Sequence, residues 1–83
     1  MSLDHELKAT SILVQKMMAT RFCRGTTQRS EAYQRGVLHI LQAEVDGTAR
    51  TRLPYAVGTA EADAYWAGGD EGHHLARKHR DAA

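Results

Sequence analysis

This chain holds almost no cysteine. Cys23 is the only one, which excludes an intrachain disulfide and a cysteine-rich zinc knuckle. Proline is equally scarce: Pro54 stands alone and restricts Leu53 to extended backbone, so helix is not expected across that connection. An excess of charge of either sign is missing too. Eleven Lys and Arg against ten Asp and Glu leave a formal net charge of +1. That balance is unlike a protein that binds nucleic acid over its whole surface, and unlike an acidic DNA mimic, so any electrostatic role is local. Aliphatic runs are short: Ile12–Val14 falls far below a membrane span, and no membrane association is expected. The opening MSLDHELK has no basic region ahead of an apolar stretch, so no signal peptide is expected and a reducing, cytoplasmic setting is. A phosphate-cradling G-x-x-x-x-G-K-[ST] loop is absent as well; CRGTTQRS carries a Gly without the following Lys.

What remains is a helical pattern. Eighty-three residues make one domain, and a chain of this size buries only about 60–65% of its unfolded surface, so a partner or a second copy is expected to help. The first helix is expected over about residues 2–23, with Ser2 as N-cap and Asp4 and Glu6 near the positive end of its dipole. Leu3, Leu7, Leu13, Val14, Met17, Met18 and Phe22 fall in one arc of roughly 180°. That stripe suits a core face or an interface. Leu7, Val14, Met17 and Met18 are its candidate contacts for a partner or a homodimer.

A second helix is expected over about residues 30–46 and a third over about 59–79, ending in a frayed RDAA tail. Sustained alternation of β-branched residues is absent, so no sheet is expected. Each of these two helices carries a narrow strip of small residues. Ala32, Gly36 and Ala43 make one; Ala62, Tyr65, Gly69, Gly72 and Ala76 share the arc of the other, flanked by Trp66, Gly68 and Leu75. A glycine inside a helix costs roughly 1 kcal/mol relative to alanine. Packing the two strips together would offset that loss, with Tyr33, Tyr65 and Trp66 filling the flanks. The expected fold is an all-α domain of three helices, the last two packed through their Gly/Ala strips and the whole a homodimer.

The ordered set AYQRG (Ala32–Gly36), Pro54-Tyr55 and WAGG (Trp66–Gly69) resembles the ribosome modulation factor family, which also takes in small ciprofloxacin-resistance-type proteins. The resemblance covers roughly residues 30–74. Asp70 stands where the family often has a second tryptophan, and a neutral amphipathic helix stands where its ribosome-binding members carry basic residues. It implies a small helical protein that docks on a ribonucleoprotein and inhibits or stores it, without catalysis.

The chemistry-bearing residues fit binding better than reaction. Arg24 and Arg29 lie on the first connection; Arg50 and Arg52 lie on the second beside Tyr55. Arginines with an aromatic on loops suit RNA phosphates and base stacking, so these five are the candidate contacts to RNA or to the protein subunits of a ribonucleoprotein. Asp70 and His74 share a helix face, but a zinc site needs three or four ligands, so no metal or other cofactor is expected. Cys23 has no convincing His partner and is expected to be a half-buried structural thiol. The alternative class is a small phage-type antagonist of a host complex, such as an anti-CRISPR protein, acting through the apolar stripe.

Overall fold

In the computed structural model, residues 3–50 and 52–82 are described, and they contain helices but no strand. Helix α1 spans Leu3–Lys8, α2 Ile12–Arg21, α3 Glu31–Glu44 and α4 Ala60–Ala82. The all-α expectation holds. The single N-terminal helix does not: it breaks at Thr10-Ser11, and its expected cap Ser2 lies outside the described residues. The break is local chemistry. Thr10 turns its hydroxyl onto the Leu7 carbonyl (2.7 Å), while Ser11 takes extended backbone and its hydroxyl accepts the Val14 N–H (3.1 Å). Ser and Thr compete with helical hydrogen bonds in this way and favour caps. The Ser11 N–H donates to Asp46 just beyond α3 (3.0 Å), which pins the corner.

Helix α3 starts on Ser30, whose hydroxyl accepts the Tyr33 N–H, and α4 starts beside Thr59, which accepts the Ala62 N–H. Helix α4 continues to Ala82, so the expected frayed end is helical for one further turn. Ala32 and Glu31 share a cleft with Ala60 and Ala64, whereas Glu44 at the far end of α3 meets His73 and Arg80. The two helices therefore run in the same sense. A hairpin turn cannot join such a pair, so the connection after Glu44 must travel back along α3. Pro54 and Tyr55 lie on that return, outside any helix.

The α3–α4 seam is backbone on backbone. A Cβ on Gly36 would collide with the Tyr65 carbonyl oxygen, and one on Gly68 with the Tyr33 carbonyl oxygen. At Gly72 it would stand 2.8 Å from Ile40 Cβ and 3.0 Å from the Val37 oxygen. Gly69 differs: its Cβ would meet Ile40 Cγ1 at 3.5 Å, an ordinary contact. The small strips thus pack as expected, with Gly36 and Gly68 as the points of closest approach.

Helices α1 and α2 cover the other side of α3. Val14 and Met18 are buried against Val37, Leu38 and Leu41, and Leu3, Leu7 and Met17 pack around them half-buried. Of the two readings of the stripe, Val14 and Met18 take the core one; Leu7 and Met17 are half-buried beside them, and Ile12 and Leu13 stand outside. The surface that motivated a homodimer is mostly consumed within one chain.

Candidate functional site

Three polar clusters tie the helices together. In the first, Arg35 and His39 stand one turn apart on α3 and both reach Glu6 of α1. Arg35 Nε donates to Glu6 Oε2 (2.6 Å) and His39 Nε2 lies 2.7 Å from Glu6 Oε1. A carboxylate only accepts, so that imidazole nitrogen carries the proton, and Nδ1 faces the Tyr65 hydroxyl at 2.7 Å. Arg35 also donates to the Tyr55 hydroxyl and to Glu31. Burial raises the Glu6 pKa, but the hydrogen bonds from His39 and Arg35 outweigh it and hold the carboxyl below its ordinary 4.5. Burial, then the nearby Glu6 charge, pushes the Tyr65 phenol above its ordinary value.

The order carboxylate, imidazole, hydroxyl matches that of a hydrolase triad, with a tyrosine phenol in the hydroxyl position. The hydroxyl belongs to a buried phenol kept protonated, and His39 is 5% exposed. The cluster joins α1, α3, α4 and the return segment at one point.

In the second cluster Glu71 of α4 accepts from Arg21 Nε and Nη2 and from the Tyr33 hydroxyl (2.6 Å). Burial opposes the Glu71 charge, yet the hydrogen bonds from Arg21 and Tyr33 prevail and its pKa is lowered. Arg29 lies over the Tyr33 ring, 4.3 Å from its centroid. The third cluster gathers Arg50, His73 and Arg80 around Glu44, at 3.6, 3.1 and 3.9 Å.

The sequence-derived contacts separate in space. Arg24 and Arg29 precede α3, Arg50 pairs with Glu44 at its far end, and Arg52 lies on the return segment. Arg29 is held on Tyr33; Arg24 and Arg52 are exposed. Tyr55 is not the free stacking surface expected beside Arg50 and Arg52. It is half-buried, its hydroxyl accepts from Arg35, and its ring meets Tyr65 edge-on at 6.0 Å.

Trp66 supplies that surface instead. Expected to fill a helix flank, it is 59% exposed. Consecutive helical residues are 100° apart, so Gly68 points 200° away from Trp66. Burying Gly68 against the Tyr33 carbonyl therefore turns the indole to solvent. Trp66, Arg50, Ile40 and the edges of His39 and Tyr65 line a cleft of about 180 Å³. Its floor is fixed by the first cluster, and its rim carries an open indole and a guanidinium that is 66% exposed. Such a rim can stack a planar base and contact a phosphate. The signal for it was the two-residue offset inside WAGG.

Asp70 and His74 are both exposed, and among the described residues no three ligand-type side chains gather. Cys23 is exposed, its Sγ 3.3 Å from the Thr20 carbonyl oxygen. No described helix is long and apolar enough to cross a membrane. No family model, curated protein or solved structure matches this chain.

Proposed function

We propose that this protein is a non-enzymatic binder that docks on a ribonucleoprotein complex and inhibits it, the ribosome first among them, with Trp66, Arg50 and Arg52 touching RNA. The observation that carries the reading is the open indole of Trp66 beside the exposed Arg50 guanidinium, both mounted over a rigid, hydrogen-bonded floor. The ordered Ala-x-x-x-Gly, Pro-Tyr and Trp-x-Gly-Gly motifs support it, because their glycines form the contact that turns the tryptophan outward. The rival antagonist reading relied on the apolar stripe. Burial of Val14 and Met18 leaves it less surface to work with.

Trp66 is the only tryptophan, so its emission reports the site directly. Titration with purified ribosomes should quench it, and the binding should weaken steeply with salt. Replacing Arg50 and Arg52 with Ala should flatten the salt slope by about 0.7–0.9 for each phosphate that an arginine no longer neutralises. The melting temperature should change little, since Arg52 is exposed and the Arg50–Glu44 pair lies largely in solvent. Unchanged emission, or binding indifferent to Trp66→Ala and to salt, would remove the RNA surface from the account.

A further inference from the structure

A second concave surface lies on the other side of α4. Leu75 follows Trp66 by nine residues, which is two and a half helical turns, so the two side chains project from opposite faces. Helices α2 and α4 both pack on α3; their backbones make few close approaches to each other, and the bidentate Arg21–Glu71 pair bridges them. Between them runs a groove of about 460 Å³. Met17 and Thr20 of α2 face Leu75 and Ala82 of α4 across it, and the wall is predominantly apolar. The bidentate Arg21–Glu71 pair lies at one end of the groove.

The rim is basic throughout. Lys16 stands on one wall, Lys78 and His79 on the other, and among the described residues the acidic group at the groove is Glu71 at its end, already paired with Arg21. Neither lysine has an ion-pair partner among the described residues. The α4 wall uses positions 75, 78, 79 and 82, an i, i+3, i+4, i+7 set that matches the spacing of a helix laid alongside.

We propose that this groove receives an acidic amphipathic helix of a protein partner, its apolar stripe seated between Met17 and Leu75 and its carboxylates against Lys16 and Lys78. Charge selects this occupant. A second copy meeting the groove across a twofold axis would set Lys16 and Lys78 against their own duplicates. A bilayer surface is flat, whereas the apolar residues here lie in the recess and the lysines stand on its edges. The site is independent of the RNA surface and stands or falls without it.

The probe is a labelled synthetic helix of about 18 residues, long enough to hold helical structure. It carries leucines at the i, i+3, i+4, i+7 positions and glutamates flanking them; a twin keeps the leucines and replaces each glutamate with lysine. Fluorescence anisotropy with the full chain should show saturable binding of the acidic peptide and binding of the basic twin at least about tenfold weaker. The double variant Lys16→Glu, Lys78→Glu should reverse that preference while its circular dichroism and melting temperature stay unchanged, because both lysines are exposed. Trp66→Leu should leave peptide binding intact, which separates this site from the RNA surface. Equal binding of both peptides, no binding of either, or indifference to the charge reversal would overturn the proposal. So would self-association abolished by the double variant, which would make the occupant a second copy. Capture of anionic vesicles with the same lysine dependence and without peptide binding would make it a membrane.

Discussion

Helix α3 is held on its two sides by different physics. Toward α4 the backbones touch: Gly36 lies against the Tyr65 carbonyl and Gly68 against the Tyr33 carbonyl, with no room for a methyl group. Toward α1 and α2 side chains make the join, through Val14 and Met18 in the core and Glu6 between Arg35 and His39 at its edge. A seam of backbone cannot adjust, because its atoms belong to the helices themselves. A seam of long side chains can repack, and where it is ionic it answers to pH. The two proposed surfaces follow the division. The rigid seam fixes which way Trp66 points, and the adjustable side leaves a groove beside α2.

The sharpest way to break this comparison is to add one carbon to the seam. Alanine at an exposed helical position would stabilise relative to glycine by up to about 1 kcal/mol. At Gly36 or Gly68 the sign should reverse. Gly68→Ala and Gly36→Ala should each destabilise by about 3 kcal/mol or more, since backbone rather than a mobile side chain must give way. Gly69→Ala, one residue along, meets only Ile40 at ordinary distance and should be neutral or stabilising. Thermal melts of the three variants decide it; an equal response at Gly68 and Gly69 would dissolve the distinction.

On the ionic side the effect should be smaller. Glu6→Ala leaves Arg35 with Glu31 and Tyr55 but takes the acceptor from His39. A loss of about 2 kcal/mol is expected, because the cluster is only partly shielded from water. Urea denaturation measures it. Chymotrypsin cleavage near Leu3 or Leu7, with α3 and α4 still protected, would show that α1 alone has come away.

Acid should act in the same place. Glu6 and Glu71 both have folded-state pKa values lowered below 4.5. Each therefore binds fewer protons folded than unfolded, and its contribution is complete above the unfolded value. Stability should fall as pH drops through 4.5 and continue falling through the lowered folded values. Glu6→Gln should flatten that decline. A Gly69→Ala variant should follow the wild-type pH curve, displaced upward or not at all.

Smallest are the caps. Ser30→Ala removes the acceptor for the Tyr33 N–H at the head of the seam, and Ser11→Ala removes that for Val14. Each should cost about 1 kcal/mol. Ser11→Ala should in addition favour fusion of α1 and α2 into one continuous helix, seen as a gain in helical ellipticity that Ser30→Ala does not produce.

Local periodicity made much of this fold legible. The helical faces of α3 and α4, the small strips, and the scarcity of strand signals all repeat within a few residues, so the sequence alone carried them. The break at Thr10-Ser11 was legible too, as two hydroxyl residues ahead of Ile12; the wide apolar arc drew the reading past it. For Val14 and Met18 the pattern left core and interface both open. A helical wheel says which residues share a face, and nothing about what that face meets.

What only the tertiary structure decided is register between distant segments. Nothing in either helix specifies that α3 and α4 run in the same sense, or that Gly68 rather than Gly69 meets a backbone. The clusters that fix the site join residues far apart in the chain, 26 between His39 and Tyr65 and 50 between Arg21 and Glu71. Composition and spacing named the arginines and the aromatics. Whether Tyr55 or Trp66 stood free depended on which hydroxyl Arg35 reached and which glycine was buried, and those are contacts between elements that no single element encodes.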